Sequence, residues 1–197
     1  DALAASLGFP LREPYFLVTY HPVTLADEDP ETSFGALLDA LDAFPDHQVI
    51  LTYPNADNGG RAIIPLLEAC ARRQPGRVLA IPSLGFRRYQ GALQKAAAVI
   101  GNSSSGIIEA PAFHIPTVNI GARQAGRLAA ASVLHCSADR EAIRQTIQTA
   151  LSPDFAAVCR QAVNPYGQGN ASPRIMQILE NLPDTLTKHF HDLEPRQ

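Results

Sequence analysis

The sequence predicts an α/β fold, a Rossmann-like doubly wound parallel sheet, and three observations support this class. Short apolar segments lack the polar alternation of half-exposed strands, as expected for strands covered on both faces. Amphipathic segments of helical period separate them, with about 10–15 residues for each helix. Strands and helices in this alternation form βαβ units, whose strands are parallel and whose connections are right-handed.

Six apolar segments are the predicted strands. The first is rich in aromatic and β-branched residues, a composition that favours strands. In chain order the segments are 15–20, 48–53, 77–81, 96–100, 116–120 and 133–136. Ligands of such sheets bind beyond the carboxyl ends of the strands, so we expect a site in the loops that follow these segments.

Helical periodicity places a helix after every predicted strand except the fifth. The first helix starts with the signal Pro30-Glu31-Thr32-Ser33, and the helix after the fourth strand carries Glu109. The apolar residues that mark the other helices are Phe34, Leu37, Leu38, Leu41 and Phe44, then Ile63, Ile64, Leu67 and Ala71, then Phe86, Tyr89 and Leu93, and finally Ile143, Ile147, Ala150 and Leu151. A turn-rich break over 165–173 interrupts the helical tail. We expect one domain over residues 1–182 and a polar C-terminal tail over 183–197.

Composition excludes several functional classes. With 197 residues, 46% of them hydrophobic, the chain can bury one sizeable core, and its net charge of -3 provides no basic surface for nucleic acid. No apolar stretch approaches the roughly 20 residues that span a bilayer, so we expect no membrane association. The three cysteines fit no zinc spacing, which predicts free thiols in a reducing cytoplasm. Because the chain begins at Asp1 and not at methionine, we expect it to be a piece of a longer protein.

The most informative segment follows the fourth strand and reads Gly101-Asn102-Ser103-Ser104-Ser105-Gly106. A strand that turns into a helix through small residues leaves backbone N–H groups unpaired, and the helix start adds partial positive charge. Together they predict a binding place for phosphate. Glu109, about one turn later, can accept hydrogen bonds from sugar hydroxyls. The alternative is that Ser104 or Ser105 only caps the helix and Glu109 only complements its dipole.

Two other loops, after the first and second strands, hold further candidates. His21 can donate a ring N–H to a phosphate or act as an acid, or it can simply bond a neighbouring carbonyl. The Asn and Asp residues of loop 54–61 suggest calcium at first sight. However, Gly59 and Leu66 stand where oxygen ligands are needed, so calcium is not expected. A turn that points Asn55 at a ligand is the alternative.

The loop after the fifth strand holds two arginines with glycines on either side, Arg123 and Arg127. Planar guanidinium groups bind phosphate well, and glycines let the backbone approach closely. Taken alone, the loop is more typical of solvated arginines. Because the sheet edge gathers these loops, we expect His21, Asn55, the serines and Arg123 around one crevice.

The loops lack other catalytic signatures. The serines have no Gly-x-Ser-x-Gly elbow, and neither Gly-x-x-x-x-Gly-Lys nor Gly-x-Gly-x-x-Gly is present. His189 and His191 lie in the polar tail, where we expect solvated side chains and not metal ligands. We therefore expect no metal and no cofactor.

Five motifs occur in the order found in one enzyme family. They are Tyr20-His21-Pro22-Val23-Thr24, Pro54-Asn55-Ala56-Asp57-Asn58-Gly59, the serine segment through Glu109-Ala110, Asn119-Ile120-Gly121 with Arg123-Gln124-Ala125-Gly126-Arg127, and Tyr166-Gly167-Gln168-Gly169-Asn170. Over residues 12–182 the chain resembles the C-terminal half of UDP-N-acetylglucosamine 2-epimerases. The resemblance is closest to the hydrolysing branch, which makes precursors of sialic and related nonulosonic acids.

The resemblance implies a glycosyltransferase-B architecture, in which two Rossmann-like domains hold the nucleotide sugar between them and residues 1–182 form the UDP-binding half. The residues that the match places around UDP are His21, Asn55, Ile81, Ser103, Ser104, Ser105, Gly106, Glu109, Arg123 and Arg127. His21 and Arg123 would meet the diphosphate and form the catalytic set, and Ser103 and Ser104 would hold the phosphates. Glu109 would take the ribose hydroxyls, Asn55 would lie near the nucleotide, and the Ile81 backbone would line the uracil pocket.

The reaction implied by the resemblance removes the proton at carbon 2 of the sugar and eliminates UDP to give a glycal. Water then adds with inversion, which releases N-acetylmannosamine. The acids that act at carbon 2 belong mainly to the family's N-terminal domain, so we expect this piece alone to bind UDP weakly and not to turn over substrate. The expected partners are UDP, a UDP-N-acetylhexosamine and that N-terminal domain, and a homo-oligomer stays open.

Two other functions stay open at this point. An inverting glycosyltransferase of the same architecture would transfer the sugar to an acceptor instead of eliminating UDP. A non-catalytic nucleotide-sugar binding module would use the same loops without chemistry.

Overall fold

The computed structural model describes residues 2–23, 29–56 and 59–182 and confirms the predicted fold class. The strands are β1 (Tyr15–Thr19), β2 (Gln48–Thr52), β3 (Val78–Ile81), β4 (Ala98–Gly101), β5 (Thr117–Ile120) and β6 (Val133–Cys136). All neighbouring pairs are parallel, and the order across the sheet is β3-β2-β1-β4-β5-β6. This order is that of the doubly wound Rossmann fold.

The helices of the described residues alternate with these strands. They are α1 (Ala2–Leu7), α2 (Pro30–Leu41), α3 (Gly60–Arg73), α4 (Gly85–Leu93), α5 (Ser105–Ile108), α6 (Arg140–Ala150), α7 (Pro153–Gln161) and α8 (Ala171–Glu180). The predicted helix that carries Glu109 is much shorter than expected, because α5 is a single turn that passes into a 3₁₀ turn at Ala110–Phe113. Pro111 explains the break, since proline lacks the N–H that a continuing helix needs.

Alternate residues of β1 face two separate layers. Phe16 and Val18 pack in one apolar cluster with residues of α2, α3 and α6. Tyr15 and Leu17 belong to a second cluster, which includes residues of α4 and of the 3₁₀ turn. The central strand is therefore buried on both faces, which is why its sequence lacks polar alternation.

Arg77 binds backbone carbonyls at the end of the sheet where the strands begin. Its Nε donates to the His47 carbonyl at 3.0 Å, and its Nη2 donates to the carbonyls of Leu41 at 2.5 Å and Phe44 at 3.2 Å. It also pairs with Asp42 at 3.2 Å. The guanidinium thus adds a donor to carbonyls at and just after the end of α2. Because α2 ends at Leu41, Phe44 lies beyond the helix that its spacing had predicted.

The described residues divide into two units, the first ending at Tyr166 and the second beginning at Gly167. The boundary falls within the predicted break over 165–173. In the second unit, every residue of α8 is exposed, including Ile175 and Ile178. The predicted tail over 183–197 lies outside the described residues. Among the helices of the described ranges, none has the length and apolarity to cross a membrane.

The ends of β1 and β4 approach each other so closely that only glycine fits at position 101. Gly101 has a φ of 132°, and a Cβ there would lie 2.0 Å from the Thr19 carbonyl oxygen. Neither the backbone angle nor the space tolerates a side chain. The position is critical because the loops after these two strands carry predicted site residues.

We therefore expect Gly101→Ala to lower the free energy of unfolding by about 2 kcal/mol or more, because backbone strain and a steric clash add. Urea unfolding measures the loss. The matched control is Gly91→Ala in α4, where a Cβ meets nothing within 4 Å. This control should be neutral or stabilised by up to about 1 kcal/mol. Equal effects of the two substitutions would contradict the packing described here.

Candidate functional site

A cleft of about 490 Å³ opens at the carboxyl edge of the sheet. Its lining comes from the chain that follows β1, β2, β3 and β4, including the adjacent strands β1 and β4 where the strand order reverses. Of the predicted site residues, those that line the cleft are His21, Asn55, Ser103, Ser105 and Glu109. The structure thus brings three of the four candidate loops together, as the topology of parallel sheets requires.

His21 is buried, and its imidazole is held by the second loop. The backbone N–H of Asn55 donates to His21 Nδ1 at 3.1 Å. Because Nδ1 accepts this bond, the proton of the neutral ring lies on Nε2. This hydrogen bond links the loops after β1 and β2. It also selects the tautomer in which Nε2 can donate.

The serine segment, residues 101–106, presents backbone N–H donors. Ser104 is the N-cap of α5, but its side chain accepts no capping bond. Among the described residues, no acceptor pairs with the N–H groups of Ser103 and Ser104. The Ser103 hydroxyl is engaged within the segment, since it contacts Ser105 Oγ at 3.2 Å. Because α5 is only one turn long, its dipole is small. These free N–H groups therefore contribute more to the binding of an anion than the helix dipole does.

Glu109 is a half-buried carboxylate at the end of α5. Burial raises the pKa of its carboxyl group above the ordinary value. The carboxylate makes no hydrogen bond or ion pair with any described residue. Glu109 is both the C-cap of α5 and the N-cap of the 3₁₀ turn at Ala110–Phe113, and its side chain makes no capping hydrogen bond in that turn.

Tyr89 lies beside this carboxylate in the cleft. The pKa of Tyr89 is raised to about 12, mainly by burial; the hydrogen bond with Ser105 acts against this shift, and the Glu109 charge adds to it. The phenol therefore stays protonated, and its hydroxyl pairs with Ser105 Oγ. Sequence reasoning missed this role, because the helical spacing of Tyr89 indicated only a core residue.

The arginine loop, residues 121–127 after β5, lies beside the serine segment. Arg123 Nη1 donates to the Asn102 carbonyl at 3.1 Å, and the half-buried guanidinium does not line the cleft itself. Arg127 is exposed. Sequence reasoning also missed Asn102, which is fully buried between these loops. Its only signal was its place in the serine motif.

Three other predicted residues lie close to the cleft without lining it. The Ile81 carbonyl accepts a hydrogen bond from the Tyr53 N–H at 3.1 Å. Ser104 is next to the lining residues Ser103 and Ser105. Gly106 has a packing role, because a Cβ there would lie 2.8 Å from Thr117 Cγ2.

Metal coordination was not expected from the sequence. Across the described ranges, no group of three or more His, Cys, Asp or Glu side chains could hold a metal ion. Asp57 and Asn58, which suggested calcium at first sight, lie outside those ranges.

Comparison with known proteins identifies the family. Residues 4–180 match the family model described as UDP-N-acetylglucosamine 2-epimerase. The polysialic acid biosynthesis protein P7 of Escherichia coli is 31% identical over 183 residues, which cover 92% of this chain and 46% of that protein. The GDP/UDP-N,N'-diacetylbacillosamine 2-epimerase (hydrolyzing) of Campylobacter jejuni is 36% identical over 132 residues, 67% of this chain and 34% of that protein.

Solved structures agree with the fold. The Staphylococcus aureus MnaA–UDP co-structure superposes with a TM-score of 0.66 at 18% identity, covering 97% of this chain and 51% of that one. The Neisseria meningitidis UDP-GlcNAc 2-epimerase bound to UDP-GlcNAc gives a TM-score of 0.66 at 16% identity, covering 91% and 48%. The chain therefore spans about half the length of these proteins. Its sheet order, its carboxyl-edge cleft and the match over residues 4–180 lead to one conclusion: the chain belongs to the UDP-N-acetylglucosamine 2-epimerase family.

Proposed function

We propose that this chain is the UDP-binding half of a hydrolysing 2-epimerase that acts on UDP-N-acetylglucosamine or a related acetamido sugar nucleotide. One observation carries the proposal. The short segment after β4 combines the N–H groups of Ser103 and Ser104 with the carboxylate of Glu109, and none of these groups has a hydrogen-bond partner in the part of the chain that the structure describes. A nucleoside diphosphate supplies what these groups lack, because its phosphates accept hydrogen bonds and its ribose hydroxyls donate them.

In the proposed complex the diphosphate lies over the serine segment. Ser103 and Ser104 bind it through their N–H groups, and Ser105 and Gly106 complete the segment that shapes the phosphate site. His21, which lines the same cleft, and the neighbouring Arg123 contact the phosphates as well. Arg127, which is exposed in the free protein, contacts the bound diphosphate from the loop after β5.

The uridine extends from the phosphates toward β3. Glu109 accepts hydrogen bonds from the ribose hydroxyls, with Asn55 near the nucleotide. The base lies beyond the end of β3, at Ile81 and the two following residues, Pro82 and Ser83, which line the cleft. Since β3 is at the edge of the sheet, the outer side of its backbone has no strand partner and is open to a flat polar ring.

The chemistry that we propose is elimination of UDP followed by addition of water. Negative charge develops on the diphosphate as the bond to the sugar breaks, and His21, Arg123 and the serine N–H groups stabilise it. The family resemblance assigns the acids that act at carbon 2 to an N-terminal half, and the comparisons are compatible with a further half, since this chain covers 46% and 34% of the two relatives. The relative named as a hydrolyzing epimerase supports water as the second reactant.

The names of the relatives also bear on the biological setting. One is a polysialic acid biosynthesis protein, which supports a precursor role in nonulosonic acid synthesis. The three cysteines are free in the structure, which supports a cytoplasmic location.

The ribose contact gives the sharpest test of the site. Calorimetry with UDP should show that Glu109→Ala weakens binding by about 1.5–3 kcal/mol, the range for a hydrogen bond to a charged group. 2′-Deoxy-UDP should bind the unmodified chain more weakly than UDP. In Glu109→Ala the difference between the two nucleotides should shrink, because the carboxylate that senses the hydroxyl is gone.

The control for this measurement is Glu141→Ala. Glu141 is an exposed glutamate on α6, where it pairs with Arg144 away from the cleft. Its removal should leave both affinities unchanged. If Glu109→Ala binds UDP as tightly as the unmodified chain, Glu109 has no ribose role.

Product analysis tests the reaction. This chain alone should bind UDP weakly and release none from UDP-N-acetylglucosamine, because it lacks the groups that act at carbon 2. The longer natural protein should release free N-acetylmannosamine and UDP, which NMR distinguishes from the substrate. His21→Ala in that protein should lower kcat roughly 100-fold or more, the scale of a lost acid or electrostatic group. A glycosylated acceptor would indicate a transferase, and rapid turnover by the isolated chain would contradict the proposal.

A further inference from the structure

Asn102 follows directly after β4 and has 0% of its surface exposed. Its side-chain Oδ1 accepts from the His21 backbone N–H at 2.7 Å, and its Nδ2 donates to the His21 carbonyl at 2.7 Å. The amide thus pairs with both backbone groups of one residue, as a neighbouring strand would. Its own backbone N–H donates to the Thr19 carbonyl at 3.2 Å. Asn102 is therefore joined to the loop after β1 by two hydrogen bonds and to the last residue of β1 by a third.

The backbone carbonyl of the same residue fixes the loop after β5. It accepts from Arg123 Nη1 at 3.1 Å and from Gln124 Nε2 at 2.8 Å. Gln124 is itself buried, with 2% of its surface exposed, so this contact belongs to the packed interior. The Asn102 carbonyl is thus the point where the arginine loop meets the serine segment.

Three loops from three adjacent strands therefore meet at one residue that does not itself line the cleft. We propose that Asn102 is a positioning residue, which holds His21 and Arg123 in register with the serine segment so that all three meet one diphosphate. This inference rests on the proposed function. Only an amide suits the position, because it must donate and accept at once while buried. A carboxylate lacks the donor, and an aliphatic side chain lacks both groups.

Two substitutions separate positioning from the effect of charge. Asn102→Leu removes both side-chain bonds without adding charge. Asn102→Asp keeps the shape but sets an anion against the His21 carbonyl, and protonation of the new carboxyl restores a donor. Because burial raises the pKa of a carboxyl group, we expect this protonation between about pH 8 and about pH 5, where UDP binding is compared by calorimetry. The unmodified chain, measured in parallel, removes the pH effects that both proteins share.

Gln48 provides matched controls at the opposite edge of the sheet. It too is a buried amide that bridges backbone groups, because its Oε1 accepts from the Arg12 N–H at 2.6 Å and its Nε2 donates to the carbonyls of Pro10 and Gly76. Gln48→Leu and Gln48→Glu therefore repeat the same losses of buried hydrogen bonds away from the site. All variants are compared at a temperature where circular dichroism shows them folded.

The inference predicts that Asn102→Leu weakens UDP binding at least roughly tenfold at both pH values, the scale of buried polar groups left unpaired. Asn102→Asp should be similarly weak at the higher pH and recover most of the affinity at the lower pH. The Gln48 variants should lose stability but bind UDP within about twofold of the unmodified chain when folded. Folded Asn102→Leu that binds normally, or Gln48 variants that weaken binding equally, would overturn the inference.

A parallel measurement separates this inference from the proposed function. Amide NMR spectra of the ligand-free proteins should show shifts in Asn102→Asp at His21 and at Asn55, whose N–H donates to the His21 ring, with the Gln48→Glu spectrum unchanged there. If the unmodified chain does not bind UDP, the proposed function fails, and these spectra still decide whether Asn102 holds the loops. Unshifted loop signals in folded Asn102→Asp would overturn the positioning role whatever UDP does.

Discussion

The cleft exists because two adjacent strands, β1 and β4, send the chain to opposite faces of the sheet. After β1 the next described helix is α2, which packs with Phe16 and Val18. After β4 the chain passes through the single turn α5 into the 3₁₀ turn, which packs with Tyr15 and Leu17. Backbone groups at the opening lose their strand partners, and buried groups of this kind must be satisfied in some other way. Asn102 satisfies those of His21, and Gly101 makes the close approach sterically feasible.

Other groups at this opening are left unsatisfied, and these are the ones suited to a ligand. The N–H groups of Ser103 and Ser104 have no acceptor among the described residues, and Glu109 has no donor. Burial raises the pKa of Glu109, so the free protein loses stability as the pH rises through the ionisation of this carboxyl group. A bound nucleoside diphosphate would provide acceptors for the two N–H groups and hydroxyl donors for the carboxylate. Binding sites commonly contain groups that lower the stability of the free protein because those groups are needed to bind the ligand.

Much of this architecture follows from the sequence, because strands buried on both faces have a continuous apolar pattern. The carboxyl-edge rule predicts His21, Asn55, the serines and Arg123 around one crevice. His21, Asn55, Ser103 and Ser105 line the cleft, and Arg123 lies beside it on the Asn102 carbonyl. The serine segment was also found, although the length of its helix was not. Pro111 already stood in the sequence as a sign that the helix would end early.

What the sequence did not reveal depends on contacts between distant residues. Asn102 meets His21 across a separation of 81 residues, and Arg77 meets the carbonyl of Leu41 across 36. No local pattern distinguishes a bridging amide or a buried guanidinium from a surface one, because the partners come from other strands and helices. Tyr89 is a similar case, since its spacing indicates the core while its hydroxyl contacts Ser105.

The central claim is that the carboxyl edge of this sheet holds a uridine diphosphate on the serine segment. A crystal structure of the chain with UDP tests it most directly. We expect phosphate oxygens within hydrogen-bond distance of the Ser103 and Ser104 N–H groups, with the ribose hydroxyls on Glu109. Well-defined UDP bound elsewhere, or bound in the cleft with its phosphates away from these N–H groups, would contradict it.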